Sequence, residues 1–341
     1  MVLAPITIHS SQFPDQIRQD LLESLRRRQV NHKFHYDSVK QAQKWLALHE
    51  AYSPSRTDPD CIAIYERAFE AVRDQVQSNL IHLVGLGCGG GQKDARLLKL
   101  LREFKKTVWY TPCDVSTAMV LTARRAAVEF VDEERCFPLV CDLATAADLN
   151  EVIDNSPEQR RDPSYVERRS ATRLVALFGI LPNFEPQSIV TCLGAVLRPG
   201  DWLLISANLS PGDYATGIER ILPLYDNQLT REWLLTFLFD LGVERSDGDL
   251  RFQIEEIKGL RRVAAYFHFA NERQIQMDAD CFEFRAGDSI RLFFSYRHTP
   301  ELVKSFLEPL GCRVITDWMT RSGEEGVFLV NRLGQDGSPN A

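Results

Sequence analysis

The sequence predicts an α/β fold in which a parallel sheet carries helices on both faces and a second α+β lobe is attached. Apolar, strand-like runs alternate with helical segments from about residue 80 to 210. The alternation lapses between about 211 and 288 and then resumes until about 335. Strands that alternate with helices usually pair in parallel, because each helix returns the chain to the same end of the sheet.

Helices are expected before the first clear strand. One includes "QIRQDLLESLRRRQ" within residues 13–30, and a second follows "HYDS". A third runs from about Cys61 to Gln77 and places its apolar residues at helical spacing. Residues before position 80 are therefore predicted to be mainly helical.

The sheet strands follow in order. The first five are "LIHLVGLG", "TVWYTPCD" ending on Asp114, "FPLVCDL" with Asp142 at its end, "RLVALFG" and "DWLLISANL". After the lapse come a helix, "TPELVKSFLEPLG", the strand "CRVITDWM", a turn at Ser322-Gly323 and a last strand, "GVFLVNRL". Between residues 211 and 288, helical and strand-like stretches mix, which indicates a separate antiparallel unit.

Composition narrows the classes of function. The 341 residues carry a net charge of −7, which provides no basic field for nucleic acid, so no nucleic-acid partner is expected. We see neither a signal peptide nor an apolar run long enough to cross a membrane. The eight cysteines form no CxxC pair, and His32 and His35 have no further metal ligands nearby. A cytoplasmic, monomeric protein with reduced thiols and no metal site is therefore expected.

Glycines end the first strand and predict a ligand site. Gly85, Gly87 and Gly90 fit the GxGxxG of dinucleotide-binding proteins, whereas Gly85, Gly87 and Gly89 fit the GxGxG of methyltransferases. In both cases the glycines let the backbone approach the ligand, and the following helix offers free N–H groups. The glycines alone do not decide between the two.

The strand ends favour S-adenosylmethionine (SAM) as the cofactor. Asp114 is placed to hold ribose hydroxyls, which both ligand classes require, but Asp142 followed by Leu143 could take the adenine amino group and ring. The "LRPGDWLLIS" step and the closing strand–turn–strand resemble the end of a seven-stranded methyltransferase sheet, whose last strand is antiparallel. A Rossmann-like class I SAM-methyltransferase sheet is therefore predicted. One departure is Gly85, where many such enzymes carry an acid that helps to hold the methionine ammonium.

This prediction divides the chain into two units and a tail. The SAM-binding core is expected to comprise residues 62–210 and 289–335. Residues 1–61 and 211–288 are expected to form the substrate-binding lobe, and residues 336–341 a disordered tail.

Longer motifs resemble the histidine-specific SAM-dependent methyltransferase family, which includes the histidine α-amine methyltransferase of ergothioneine biosynthesis. The resemblance extends from about Lys33 to Leu333 and includes "KFHYDSVKQAQKWLALHEAYSPSR", "LGCGGGQKDARLL", "YTPCDVS" and "ALFGILPNF". It implies cofactor contacts by the glycine loop, with Gly87, Gly89 and Lys93, and by Asp114, in addition to the adenine contacts that the strand end predicts for Asp142 and Leu143. It also implies that Asn183 and Tyr225 clamp the substrate carboxylate, and that Tyr36 and Tyr52 lie beside the methyl acceptor as the catalytic pair.

Departures from the family pattern concern the substrate. The family's E-x-S segment, whose glutamate pairs with the imidazole, appears here as Phe293-Phe294-Ser295. A family methionine corresponds to Ala265, and the asparagine loop is one residue shorter, with Pro182 before Asn183. An aromatic side chain cannot pair with imidazole, and unsatisfied imidazole nitrogens would cost about 1–3 kcal/mol. Histidine is therefore not expected to be the substrate.

The expected function is SAM-dependent N-methylation of an amino acid, or of an amino-acid-derived specialised metabolite, other than histidine. Tyr36 would orient the acceptor or relay its proton, with Tyr52 at the same end. The alternatives are an O- or carboxylate-methyltransferase, a SAM-binding protein without catalysis, and a nicotinamide dehydrogenase. The last explains GxGxxG but neither the long helical N-terminal region nor Asp142.

Overall fold

A computed structural model describes residues 5–155 and 165–334 of the protein, so the tail predicted at 336–341 lies outside the described residues. In chain order the strands are β1 (Thr7–Ile8), β2 (Leu80–Leu86), β3 (Thr107–Asp114), β4 (Leu139–Val140), β5 (Thr172–Leu177), β6 (Trp202–Asn208), β7 (Gly248–Ile257), β8 (Leu260–Phe269), β9 (Arg273–Met277), β10 (Asp280–Phe284), β11 (Ser289–Tyr296), β12 (Cys312–Met319) and β13 (Glu325–Arg332). The helices are α1 (Pro14–Arg26), α2 (Val39–Tyr52), α3 (Pro54–Thr57), α4 (Pro59–Gln75), α5 (Gln92–Glu103), α6 (Thr117–Ala127), α7 (Leu149–Asn155), α8 (Tyr165–Ser170), α9 (Pro186–Val196), α10 (Tyr214–Tyr225), α11 (Gln228–Asp240) and α12 (Pro300–Leu307).

The central sheet has the order β1-β4-β3-β2-β5-β6-β13-β12. Strands β4, β3, β2, β5 and β6 pair in parallel, whereas β13 runs antiparallel to both β6 and β12. The predicted Rossmann-like sheet with an antiparallel last strand is therefore confirmed. An eighth strand, β1, extends the edge in parallel with β4, which the sequence did not predict because it is only two residues long.

Most predicted strands match the observed ones, and β4 is the main difference. The sequence predicted a strand over "FPLVCDL", but only Leu139 and Val140 pair. The backbone N–H of Asp142 donates instead to Ser11 Oγ at 2.9 Å. The chain thus leaves the sheet before Asp142, and Ser11 satisfies the backbone N–H that sheet pairing would otherwise have used.

Apolar side chains pack on both faces of the central sheet. On one face, α4 and α5 contribute Ile64, Phe69 and Leu97 to a cluster with the sheet residues. On the other face, α7, α9 and α12 bury residues such as Ile153 and Leu193. Burial on both faces explains why the central strands are almost wholly apolar.

A second lobe covers the carboxyl end of the sheet. It contains the antiparallel sheet β11-β8-β7 and the hairpin β9–β10, with a core that includes Phe34, Trp233 and Phe267. The predicted division of the chain differs from this arrangement in two places. Residues 289–296, expected in the core, form β11 and pair with β8 in the lobe, and Thr7–Ile8, expected in the lobe, pair with the central sheet. No helix in the described parts of the chain is long and apolar enough to cross a membrane.

Candidate active site

A cavity of about 770 Å³ opens where the carboxyl ends of β2 and β3 face the second lobe. Its wall includes the glycine loop after β2, the acids that follow β3 and β4, and side chains from the segment that leads into α2. The ends of parallel strands are the usual ligand position in open α/β sheets. The volume lies within the range of small-molecule sites, which is about 300–1,000 Å³.

The glycine loop leaves its backbone open to the cavity. Gly87 and Gly89 have φ values of +60° and +51°, which side chains rarely tolerate. A Cβ on Gly87 would lie 2.6 Å from Ile180 Cδ1. Glycine is therefore required at position 87 both by the backbone conformation and by the packing around it.

Asp114 lies at the end of β3, where the loop fixes its carboxylate. The backbone N–H groups of Gly89 and Ser116 each donate to it at 3.0 Å. Burial raises its pKa to about 6. Each oxygen has spare acceptor capacity, so the carboxylate can also accept hydrogen bonds from ligand hydroxyls, as predicted for ribose.

Asp142 presents one carboxylate oxygen that makes no hydrogen bond within the described part of the chain. Its Oδ1 accepts from the backbone N–H of Ala144 at 2.9 Å, whereas the buried Oδ2 has no hydrogen-bond partner. The ammonium of Lys33, 3.9 Å from Oδ2, also forms an ion pair with Asp20. Burial raises the pKa of Asp142. Next to buried Leu143, this oxygen fits the amino group of an adenine.

Lys93 places a desolvated cation on the cavity wall. Its Nζ lies 4.6 Å from the centre of the Tyr65 ring and 5.9 Å from that of Phe178. Burial lowers its pKa, and the nearby charge of Glu325 acts in the opposite direction. Such a group can bind the carboxylate of a ligand. Taken together, the glycine loop, the two acids and Lys93 fit SAM.

Tyr36 and Asn183 meet in the same cavity. The Asn183 amide donates to the Tyr36 hydroxyl at 3.3 Å, and the Tyr36 ring packs against Trp45 and Trp233. Burial, followed by the charge of Asp114, raises the Tyr36 pKa. Tyr52, the last residue of α2, is 54% exposed and contributes to the cavity wall.

Tyr225 and Ser295 form a separate polar cluster. The Tyr225 hydroxyl donates to Ser295 Oγ at 2.7 Å and accepts from Arg297 at 3.0 Å. Asn183 bonds to Tyr36 rather than to this cluster. The predicted Asn183–Tyr225 carboxylate clamp therefore stays a prediction.

Phe293 and Ala265 pack in the lobe core, one layer behind the cavity wall. They face each other across β11 and β8, and both are buried. The Phe293 ring lies 5.7 Å from that of Trp233 and 5.2 Å from that of His32. Of the described residues, those of β11 that line the cavity are Arg291 and Phe294, so the roles predicted for Phe293, Ala265 and Ser295 also stay predictions.

Many residues of the cavity wall were not predicted as site residues, and His32, Trp45 and His49 are three of them. His32 was considered only as a metal ligand, but its Nε2 accepts from the backbone N–H of Phe294 at 3.2 Å and its ring packs on Phe294. Burial lowers its pKa. Trp45 stacks on His49 at 4.8 Å, and both lie in the wall. Trp45 and His49 are four residues apart, about one turn of α2, and this spacing in the sequence could have indicated that their side chains meet.

The comparison with known proteins gives a family and more distant likenesses. The sequence model described as "Histidine-specific methyltransferase, SAM-dependent" matches residues 17–332. The N-methyltransferase imqF of Aspergillus flavus is 24% identical over 259 residues, which are 72% of this chain and 66% of that protein, just under two thirds of its length.

Solved structures resemble the chain more weakly. The amino pentose methyltransferase CalS10 of Micromonospora echinaspora is 14% identical, with 84% of this chain and 96% of that chain covered and a TM-score of 0.38. The 1,6-didemethyltoxoflavin-N1-methyltransferase of Burkholderia thailandensis is also 14% identical, with 98% and 94% covered and a TM-score of 0.42. Neither bears on the substrate of this chain. The family match confirms the resemblance seen in the motifs: the chain belongs to the histidine-specific, SAM-dependent methyltransferase family.

Proposed function

We propose that this protein transfers the methyl group of SAM to the nitrogen of a small-molecule amine with an apolar or aromatic body, and that histidine is not its substrate. One observation carries the proposal: the hydrogen-bonded Tyr36–Asn183 pair lines the same cavity as the carboxylates of Asp114 and Asp142. The family match and the similarity to an N-methyltransferase support methyl transfer to nitrogen.

In the cofactor half of the cavity, we infer separate contacts to the adenine, the ribose and the carboxylate of SAM. Asp142 Oδ2 accepts from the adenine amino group beside Leu143, and Asp114 accepts from the ribose hydroxyls. Lys93 pairs with the carboxylate. When bound there, SAM supplies a methyl group on a positively charged sulfur, so the protein's own contribution is chiefly to bind and orient the two reactants.

Tyr36 orients the acceptor nitrogen. Its raised pKa keeps the phenol protonated at neutral pH, so it acts as a hydrogen-bonding group rather than as a base. Its oxygen accepts from Asn183 and still has a lone pair for an N–H of the acceptor, while its own hydrogen remains available for a polar group of the substrate. Tyr52 closes the exposed side of the same end.

The acceptor must reach the reaction as a neutral amine. Burial disfavours the ammonium form and lowers the pKa of the bound amine, which frees the lone pair. The nitrogen then forms a bond to the methyl carbon as the carbon–sulfur electron pair returns to sulfur. The proton of the resulting ammonium passes to water. His49, whose pKa burial lowers to about 3, stays neutral and adds no further positive charge.

The aromatic residues of β11 and His32 disfavour histidine as the acceptor. Phe293 stands where the family has the glutamate that pairs with the imidazole. The chain's own imidazole, His32, already packs on Phe293 and Phe294, with ring centres 5.2 and 4.4 Å apart. A substrate imidazole would not find that carboxylate, and His32 already packs against these two aromatic rings. The missing carboxylate does not weaken the binding of an indole, a phenyl ring or an aliphatic group, because none of them needs a charged partner.

The test incubates purified protein with methyl-labelled SAM and a panel of the twenty amino acids, tryptamine, tyramine and related amines, with products identified by mass spectrometry. We expect an N-methylated aromatic or apolar amine and unlabelled histidine. Labelled histidine would contradict the substrate proposal, and an O-methylated product would favour an O- or carboxylate-methyltransferase. Binding of cofactor without any product would favour a SAM-binding protein without catalysis.

A matched pair of variants tests the role of Tyr36. Tyr36→Phe removes the hydroxyl inside the cavity, whereas Tyr214→Phe removes a hydroxyl that donates to the backbone of Arg297 and does not line the cavity. We expect the first to lower kcat and the second to leave it near the wild-type value. Equal effects of both would contradict the orienting role of Tyr36.

A further inference from the structure

Gly85 has no side chain at the point where β2 meets the glycine loop, and another residue fills that space. A Cβ built on Gly85 would overlap Oδ2 of Asp94 and lie 3.1 Å from its Cγ. Asp94 belongs to the first turn of α5. A carboxylate therefore occupies the place of a side chain at position 85, although it arrives from the helix rather than from the strand.

Asp94 is a buried acid on the cavity wall. It is 3% exposed, and the Tyr110 hydroxyl donates to its Oδ2 at 2.6 Å. The Tyr110 hydrogen bond and the charge of Lys93 both favour its ionised form, but burial outweighs them. Burial raises its pKa to about 7. Ionisation of a carboxylate in this position is costly unless a cation is bound beside it.

We propose that Asp94 binds the ammonium of the methionine portion of SAM, replacing the acid that many methyltransferases carry at the position of Gly85. The inference rests on the proposed function, because it requires SAM in this cavity. It gives consecutive residues opposite tasks: Lys93 pairs with the carboxylate of the ligand and Asp94 with its ammonium. It also explains Gly85, since any side chain there would collide with the carboxylate of Asp94.

Two ligands and an isosteric variant test the proposal by calorimetric binding, without any need for turnover. S-adenosylhomocysteine (SAH) contains the amino-acid portion, and 5′-methylthioadenosine lacks it. We expect Asp94→Asn to weaken SAH binding by about 10- to 150-fold, the usual effect of losing a hydrogen bond to a charged group, and to leave 5′-methylthioadenosine binding unchanged. Unchanged SAH binding, or equal weakening for both ligands, would overturn the role of Asp94. Wild-type protein that binds neither ligand would overturn the proposed function itself.

Moving the carboxylate from position 94 to position 85 gives a second, independent test. Gly85→Asp alone brings two carboxylates together, so we expect SAH binding to be lost. Gly85→Asp combined with Asp94→Ala restores a single acid at this point, so the double variant should prefer SAH to 5′-methylthioadenosine, as the wild type does. A folded double variant without that preference would contradict the proposed exchange.

Discussion

Replacement of Asp142 by asparagine tests the adenine site with little disturbance of the fold. The variant retains the oxygen that accepts from the Ala144 backbone at 2.9 Å. The change falls on Oδ2, the buried oxygen that has no hydrogen-bond partner within the described residues. In Asp142→Asn this oxygen becomes an NH₂ group, so a donor would face the amino group of the adenine.

The expected loss of SAH affinity corresponds to one hydrogen bond to a charged group. A hydrogen bond to a charged group contributes about 1.5–3 kcal/mol, which corresponds to about 10- to 150-fold weaker SAH binding. Folding stability should change little, because the variant loses the desolvation penalty of the buried carboxylate and the repulsion from Asp20, which offset the lost attraction of Lys33 at 3.9 Å. A large loss of affinity with a nearly unchanged Tm is therefore expected.

Titration calorimetry with two ligands separates the adenine contact from a general effect. SAH carries the 6-amino group, whereas S-inosylhomocysteine carries a carbonyl oxygen there. The wild type should prefer SAH, and Asp142→Asn should lose that preference. Asp142→Asn protein that binds SAH as tightly as the wild type, or retains the wild-type preference, would refute the assignment of Oδ2 to the adenine amino group.

Four further predictions concern the glycine loop, Asp94 and the Tyr225–Ser295 cluster. Gly87→Ala places a side chain at a φ of +60° and in close contact with Ile180, so it should lower Tm and abolish SAH binding. The control is Gly259→Ala, where φ is +78° but no atom lies within 4 Å of the added Cβ, so it should only lower Tm. SAH affinity should rise between about pH 6 and pH 8 as Asp94, with its pKa near 7, ionises, and Asp94→Asn should flatten this profile. The stability of the ligand-free protein should have the opposite pH dependence, because folded Asp94 keeps a proton that the unfolded chain loses near the ordinary pKa of an aspartate. The free energy of unfolding, measured with urea, should therefore fall as pH rises from about 4 to 7, and it should fall less in Asp94→Asn. Ser295→Ala should raise the KM for the amine without changing the Kd for SAH if Tyr225 contacts the acceptor; an unchanged KM would remove Tyr225 from the substrate site.

The sequence predicted the central sheet because each strand is a continuous apolar run followed by a helix. It missed β1 and β7. Strand β1 has two residues and depends on its pairing with β4, whereas β7 is rich in charged residues and pairs only with β8 within the described sheet. Strand β1 is too short to show the apolar alternation from which strands are predicted, whereas β7 does alternate, with Leu250, Phe252 and Ile254 separated by polar residues, so the sequence carried a strand signal there that the prediction overlooked.

The candidate site was predicted where function follows from position at a strand end, as for Asp114 and Asp142. It was not predicted where contacts depend on packing between distant segments. His32 bonds to Phe294, 262 residues away. The sequence also showed that Gly85 lacks an acid, but the replacement by Asp94 becomes visible only when α5 is packed against β2.

A crystal structure of the protein with SAH would show which residue contacts each part of the ligand. We expect the adenine amino group on Asp142 Oδ2, the ribose hydroxyls on Asp114, the ammonium within hydrogen-bonding distance of Asp94, and the sulfur facing the Tyr36–Asn183 pair. An SAH molecule whose sulfur faces away from Tyr36 and Asn183, or whose ammonium is held elsewhere, would contradict this expectation.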